Sequence, residues 1–387
     1  MINSIELFSG TGGLALGLHQ AGFKPRALFE WDKDSCNNVK ANIESGFPDV
    51  QDWNVIQADV RLVDYKNYSG IQFVTGGPPC QPFSLGGKHK AYTDARDMFP
   101  EAVRAVRELH PQGFIFENVK GLLRKSFSTY FNYILLQLTH PEIVAKKGAD
   151  WLDHLKTLEQ HHTSGIHTGL EYNVIFRLIN AADYGIPQMR HRVVIVGFRS
   201  DLNASWSFPA PTHSKEKLFY AQNIDGSYWD EHSISRKNRP VSEIQKHGAS
   251  MYQLAVNTSK KRWRTVRDAL KNLPDPQSAG AAKYNNHEFK GGAKHYAGHS
   301  GSVMDEPSKT IKAGAHGVPG GENMLVLDSG ALRYYTVRES ARIQTFPDDY
   351  IFNGSWTESM RQIGNAVPVE LAKIIGDSVV KQMQRIC

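Results

Sequence analysis

Cysteine is scarce in this 387-residue sequence, with three residues at positions 36, 80 and 387. Cys36, Cys80 and Cys387 are too few and too scattered for a disulfide framework or a four-ligand zinc site, and such usage fits a reducing cytoplasm. Long apolar runs are missing as well. None approaches the roughly 20 residues needed to cross a bilayer. The opening Met1-Ile-Asn-Ser has no charged stretch leading into a cleavable apolar one, so the expectation is an unexported, cytosolic protein with no membrane contact. An excess of one charge is also small: 45 Lys and Arg stand against 39 Asp and Glu, a balance of +6. That suits a polyanionic partner without requiring one. No internal repeat or low-complexity tract is evident.

What is present is enough apolar material for a full core. With 40% hydrophobic residues, a chain of this length can build one large domain and a smaller lobe. The first 120 residues alternate short apolar runs with helical patterns, the form of a parallel sheet made of strand-helix-strand units. Candidate strands are Ser4 to Phe8, Ala27 to Glu30, Ile71 to Thr75 and Phe114 to Glu117. Before the last of these, Met98, Ala102, Val103, Val106 and Leu109 recur at helical spacing, with Pro100 in a first-turn position and Pro111 ending the pattern. Residues 120 to 170 read as helix with polar interruptions. Tyr172 to Leu178 and Val193 to Phe198 return to strand character, the second as a central strand. From about Ser200 to Leu327 the texture turns irregular, rich in Gly, Pro, Ser, Asn, Lys and His. Val367 to Met383 regains helical periodicity and is expected to rejoin the first domain.

The first chemical signal is the segment Glu6-Leu-Phe-Ser-Gly-Thr-Gly-Gly-Leu14. A strand that breaks into glycines and then opens a helix offers backbone amides to a polar or negative ligand. Dehydrogenases and purely structural turns use the same device. The next strand ends in Glu30-Trp31-Asp32, where a carboxylate can accept from a ribose diol and an indole can lie on an adenine face. The third ends near Asp59, which could accept from an adenine amino group. Each has a plain alternative, a solvated strand-end charge or a core filler. Three successive strand ends at one edge favour nucleoside binding there.

The second signal is Gly76-Gly-Pro-Pro-Cys-Gln-Pro-Phe-Ser84, which follows the strand Ile71 to Thr75. Most lone cysteines are small buried hydrophobes. A rigid polar loop at the carboxyl edge of a sheet is a different setting, one that favours a nucleophilic thiolate. Phe114-Ile-Phe-Glu-Asn-Val119 then ends a strand in a carboxylate and an amide. Glu117 there can donate or share a proton, or else cap a helix or join a salt bridge. Gln188-Met-Arg-His-Arg192 places Arg190 and Arg192 at alternate positions, hence on one side of an extended segment. His161, His162 and His167 have no matched carboxylates or cysteines, so no metal is expected.

The ordered series Phe-Ser-Gly-Thr-Gly-Gly (8 to 13), Gly-Pro-Pro-Cys-Gln-Pro-Phe-Ser (77 to 84), Glu-Asn-Val (117 to 119), Gln-x-Arg-x-Arg (188 to 192) and Gly-Asn-Ala-Val-Pro (364 to 368) resembles the motif series of the DNA (cytosine-5)-methyltransferases, of the prokaryotic modification-enzyme type. The likeness extends to Pro307-Ser-Lys-Thr-Ile311 and to Thr336 through Pro347. It leaves about 122 to 168 and most of 200 to 304 unexplained. One departure is Glu6, where the family usually carries Asp.

The resemblance implies an α/β fold: a Rossmann-like S-adenosylmethionine-dependent methyltransferase domain with a smaller, irregular target-recognition domain. Residues 1–199 and 330–387 would form the catalytic and cofactor domain, with an insert at about 122–168, and 200–329 the target-recognition domain. It implies sequence-specific methylation of cytosine C5 in double-stranded DNA. Cys80 would add to C6, Glu117 would contact N3 and the exocyclic amine, Arg192 would hold O2 and Arg190 would support the Cys80 region. The base would leave the helix to react. Phe8, Gly10, Gly12, Gly13, Leu14, Glu30, Trp31, Asp59, Pro79 and Asn365 would surround S-adenosylmethionine, released as S-adenosylhomocysteine, with no metal. The loop from Cys80 to about Asp97, with Lys88 and Lys90, would close over the DNA. The expected protein is monomeric, with a separate cognate restriction endonuclease. Lys260-Lys-Arg-Trp-Arg264 reads either as a DNA contact or as structure. The alternatives are a tRNA cytosine-5 methyltransferase and a nucleic-acid-binding regulator without turnover.

Overall fold

The computed structural model describes residues 1–79, 97–165, 169–240, 259–295, 300–313 and 323–386. Two compact units divide the chain: Met1–Ile179 with His191–Phe208 and Ala372–Cys387, and Asn180–Arg190 with Pro209–Leu371.

The first unit is built on seven strands. In chain order it runs β1 (Ile2–Leu7), α1 (Gly13–Gln20), β2 (Phe23–Glu30), α2 (Lys33–Glu44), β3 (Val55–Gln57), β4 (Phe73–Gly76), α3 (Phe99–Leu109), β5 (Gly113–Val119), α4 (Ser128–Thr139), α5 (Trp151–Thr163), β6 (Tyr172–Asn180) and β7 (His191–Arg199). The strands lie in the order β3-β2-β1-β4-β5-β7-β6. β1 pairs in parallel with β2 and β4, β2 with β3 and β4 with β5, whereas β7 runs antiparallel to β5. Strand order therefore reverses between β1 and β4, and at such a switch point the carboxyl ends of the strands open a ligand crevice.

Away from its edge strands both faces of this sheet are covered, which explains the near-continuous apolar strands, whereas the edge strand β6 is largely exposed, with Phe176 at 43% and Leu178 at 44%. Ile5, Leu7, Ala27, Phe29, Phe114, Phe116, Val193 and Ile195, spaced by two, share one core with α3, α4 and α5. The alternate residues Leu28, Phe73, Ile115, Val194 and Val196 are buried as well. Burial on both sides is the rule for sheets covered by crossover helices. α3 carries Pro at its start, buries Phe99, Ala102, Val103, Ala105 and Val106, and stops at His110, whose backbone is left-handed. The polar-interrupted stretch after residue 120 folds as the helix pair α4 and α5. The helix Val369–Ile386 covers the periodic segment read near the end of the sequence. A methyl group at Gly376 within it would sit 2.7 Å from Ala21 Cβ, so this glycine lets the helix approach α1 closely.

The second unit has little regular structure among its described residues. Its strands are two or three residues long, in a pair (His213–Ser214 with Lys261–Arg262) and a three-stranded sheet (Ser302–Val303, Met324–Val326, Leu332–Tyr334). Buried arginines do the work that ladders do elsewhere. Arg338 donates to the carbonyls of Asn285, Pro347 and Tyr350 at 2.9, 2.9 and 2.7 Å. Arg333 forms a two-pronged bond to Glu339, whose carboxylate also closes the capping box of the helix Val337–Ile343 with Thr336.

Candidate active site

The turn leaving β1 is strained and open. Phe8, Gly10 and Gly12 all have positive φ, at 57°, 53° and 81°. A phenylalanine rarely adopts that backbone, and such outliers persist where surrounding bonds hold them. Here Ser9 N–H donates to Phe29 O at 3.1 Å and Gly10 N–H donates to Glu30 Oε2 at 2.7 Å. Glu30 Oε1 accepts from Asp32 N–H at 2.8 Å, so one carboxylate at the end of β2 braces both turns. Burial pushes its pKa up, against the pull of these amides. α1 begins at Gly13, its N-cap Gly12 supplies no side chain to the first amides, and Leu14 is buried behind them. A methyl group at Gly10 would meet nothing within 4 Å. Beside this turn the Trp31 indole is 70% exposed.

Asp59 caps the turn after β3, accepting from Arg61 N–H at 3.0 Å, and also pairs with the Arg61 guanidinium, which lowers its pKa. Arg104 of α3 fixes this turn from beneath, donating to Val60 O at 2.6 Å and Val63 O at 3.1 Å. One further acid sits under the glycine turn. Glu6 is buried, accepts from Thr75 Oγ1 at 3.3 Å, and burial raises its pKa to about 8.

At the switch point, β4 ends in Gly76, where a side chain would strike Leu7 O at 2.3 Å. Only glycine lets the ends of β1 and β4 meet this closely. The chain continues through Gly77, Pro78 and an exposed Pro79; Cys80 and the loop to Arg96 fall outside the described residues. Asn118 Nδ2 donates to Pro78 O at 2.9 Å, and Val119 N–H donates back to Asn118 Oδ1 at 2.8 Å. Asn118 therefore ties β5 to the stub that leads to Cys80. Sequence reading assigned it no role, although an amide buried in an apolar strand must find partners.

Glu117 Oε1 and Arg192 Nε lie 2.6 Å apart, their side chains 12% and 13% exposed. In the antiparallel register Glu117 faces Val194 and Val119 faces Arg192. The pair is thus diagonal on one sheet face, within reach of long side chains. Burial lowers the guanidinium's pKa and the neighbouring carboxylate raises it. A methyl group at Gly77 would lie 3.5 Å from Glu117 Oε2, so the stub passes directly by the pair.

In the second unit, fully buried Arg190 donates to Ile311 O, Gly364 O and Ala366 O at 3.1, 2.8 and 2.9 Å. Gln188 Nε2 donates to Gln344 Oε1 at 2.9 Å, and Gln344 Nε2 donates to Ile363 O at 2.6 Å. Together these bonds fix the turn that presents exposed Asn365. Arg190 and Arg192, two positions apart in sequence, thus serve different partners. In the basic segment 260–264, Arg262 binds Asp268 and Glu231, the Trp263 indole N–H donates to Asp183 Oδ1 at 3.0 Å, and Arg264 binds Glu370. These partners give Arg262, Trp263 and Arg264 structural roles, while Lys260 and Lys261 are exposed. His162 Nδ1 meets His140 Nε2 at 2.9 Å. Among the described residues no group of three or more His, Cys, Asp or Glu is placed to hold a metal, and no helix is long and apolar enough to cross a membrane.

A switch-point sheet with a glycine turn on β1, acids ending β2 and β3 and an antiparallel β7 defines the Rossmann-like S-adenosylmethionine-dependent methyltransferase fold. Within it, the C-5 cytosine-specific DNA methylase family matches residues 2–141 and 151–381, and the chain belongs to that family. It is a DNA (cytosine-5)-methyltransferase. Type II methyltransferase M.NgoMIV of Neisseria gonorrhoeae is 30% identical over 386 residues, spanning 99% of this chain and 98% of the relative. Type II methyltransferase M.PspPI of Psychrobacter sp. is 32% identical over 381 residues, spanning 98% and 79%. Among solved structures, the S. pombe Dnmt2 methyltransferase superposes with a TM-score of 0.55 at 16% identity, covering 100% of this chain and 99% of that one. Use of S-adenosylmethionine is general to the family.

Proposed function

We propose that this enzyme methylates C5 of a cytosine within a specific sequence of double-stranded DNA, through base flipping and a covalent bond from Cys80 to C6, as the modification arm of a restriction-modification system. The observation that carries the reading is the Glu117–Arg192 pair beside the Gly77-Pro78-Pro79 stub of Cys80, at the switch point of the sheet. The Type II relatives support the biological setting. In that setting the protein is a cytosolic monomer, and a separate endonuclease reads the same sequence.

Cytosine C5 is too weakly nucleophilic to take a methyl group unaided. Addition of the Cys80 thiolate to C6 forms an S–C6 bond at the expense of the C5–C6 π bond, which ends the ring's aromaticity and places an electron pair on C5. Negative charge then builds on O2 and N3. Arg192 would hold O2, and Glu117 would share a proton with N3 and accept from the exocyclic amine. Their contact with each other keeps both side chains oriented before DNA arrives. Loss of the C5 proton to a base and expulsion of the thiolate restore aromaticity and the enzyme. In a stacked pair N3 is engaged by guanine and neighbouring bases cover the ring faces through which C6 is attacked and C5 is methylated, so the target must leave the duplex, at an unstacking cost of a few kcal/mol.

S-adenosylmethionine, when bound, supplies an electrophilic methyl on a sulfonium. The residues fit it. The first amides of α1 and the open space above Gly10 can take its polar end, the Glu30 carboxylate keeps lone pairs free for a ribose diol, and the exposed Trp31 offers a face for adenine. Phe8, Gly12, Gly13, Leu14, Asp59, Pro79 and Asn365 complete the proposed set. Arg190 acts indirectly, by fixing the Asn365 turn. Residues 200–329 would read the DNA sequence.

The test is methyl transfer to duplex DNA and to tRNA, with Cys80→Ala as control. Duplex methylation and stable trapping by 5-fluorocytosine DNA are expected for the natural chain, and neither for the variant. Methylation of tRNA alone, or undiminished turnover in Cys80→Ala, would overturn the proposal.

A further inference from the structure

We infer that Tyr130, in the helix pair inserted between β5 and β6, is a positioning residue for Cys80 that acts through Asp97; this rests on Cys80 being the nucleophile proposed above. The chain on both sides of Cys80 is tied down at described residues. Pro79 O accepts from Met98 N–H at 3.4 Å, and Pro78 O accepts from Asn118. Asp97 is where the returning side re-enters the described fold. Its Oδ1 accepts from Phe99 N–H at 3.2 Å, the opening of α3, and its Oδ2 accepts from the Tyr130 hydroxyl. One carboxylate thus joins the start of its own helix to α4, next to the point where Met98 meets the Pro79 stub.

Tyr130 is itself held firmly. Its ring is buried and packs against Tyr133, with centroids 5.8 Å apart, and edge-on to Trp151 of α5 at 5.5 Å. The Tyr133 hydroxyl meets His154 Nδ1 at 2.8 Å, and His154 Nε2 lies 2.9 Å from Ile143 O. α5 therefore clamps the α4 rings, and the Tyr130 hydroxyl is the polar group this cluster directs at Asp97. Phenylalanine would fill the same apolar space, so the hydroxyl has a separate use. A buried hydroxyl is expensive to leave unpaired, and a tyrosine with two torsions is a stiff strut. Stiffness where Met98 meets the Pro79 stub matters because a misplacement of about 1 Å between reacting atoms costs on the order of 100-fold in rate. The insert thereby gains a task that the family motifs do not cover.

The test uses the full chain and a duplex carrying 5-fluorocytosine at the target base, with trapping rate, kcat, KM for S-adenosylmethionine and thermal midpoint measured side by side. Tyr130→Phe should slow trapping and kcat together by about tenfold, the worth of one hydrogen bond to a carboxylate, and leave KM for S-adenosylmethionine unchanged. Asp97→Ala should reproduce that loss, and the double variant should be no slower than the slower single one. Asp97→Asn, which can bond both Phe99 N–H and the Tyr130 hydroxyl, should retain most of the rate. Trapping by Tyr130→Phe within twofold of the natural rate overturns the inference, as does a lowered thermal midpoint with normal trapping below it. Failure of the natural chain to trap DNA at all would instead overturn the role of Cys80.

Discussion

Replacing Glu117 with glutamine separates a catalytic pair from a strand clasp. Glu117 and Arg192 make a contact of 2.6 Å with almost nine-tenths of each side chain covered. Two unit charges about 4 Å apart attract by about 4 kcal/mol at an effective dielectric of 20. Desolvation of both groups cancels much of that gain. The amide keeps the shape and still offers one oxygen to the guanidinium, so the cost in folding stability should be only about 1–3 kcal/mol. The cost in turnover should be far larger. A neutral amide cannot pass a proton to the ring as charge builds on N3, and positioned acid-base groups contribute roughly 10²–10⁴ in rate. Urea unfolding would report the first quantity, and single-turnover methylation of duplex DNA with radiolabelled methyl donor the second. E117Q should bind S-adenosylmethionine as the natural enzyme does, unfold slightly earlier, and methylate at least about 100-fold more slowly. Turnover within tenfold of the natural rate in a measurably destabilised E117Q would refute the chemical role and leave the pair as a clasp between β5 and β7.

Trp31→Ala should leave folding intact, since the indole is 70% exposed, and weaken S-adenosylmethionine binding by about tenfold with kcat unchanged at saturation, as loss of a stacking face predicts. Calorimetric titration checks this, and unaltered affinity would remove the indole from the cofactor site. Glu6 makes a pH prediction. Its pKa rises from 4.5 to about 8 through burial, so the folded state binds a proton that the unfolded state has released. Its neutral form favours folding fully below about pH 4.5, and that contribution is lost at roughly 1.4 kcal/mol per pH unit as pH climbs toward 8. Glu6→Gln should flatten the fall in stability between pH 5.5 and pH 8. Equal slopes for both proteins in urea unfolding would show that Glu6 is not held protonated.

The parts of this protein legible in the sequence are those whose physics is local. Strands buried on both faces read as apolar runs, so Ala27 to Glu30 and Phe114 to Glu117 fall inside β2 and β5, and the spacing from Ala102 to Leu109 lies within α3. Turns that need glycine, at Gly10, Gly12 and Gly76, carry their own chemical reason. What stayed illegible depends on register and on long-range bonds. Nothing in Gln188 to Arg192 says that Arg192 will meet Glu117, because that follows from antiparallel pairing of strands some 75 residues apart. Nor could the fate of Arg190 be read, since it reaches carbonyls 121, 174 and 176 residues away. The segment 260–264 shows the same blindness from the opposite side. Its charges suggested a polyanion, whereas Asp268, Glu231 and Glu370 already engage its arginines. A second unit that uses buried guanidinium groups in place of ladders leaves no periodic trace. Basic residues there separate into binding and structural sets only when their carboxylate and carbonyl partners are known, so a search for DNA-reading side chains should begin with the cations that lack acidic partners.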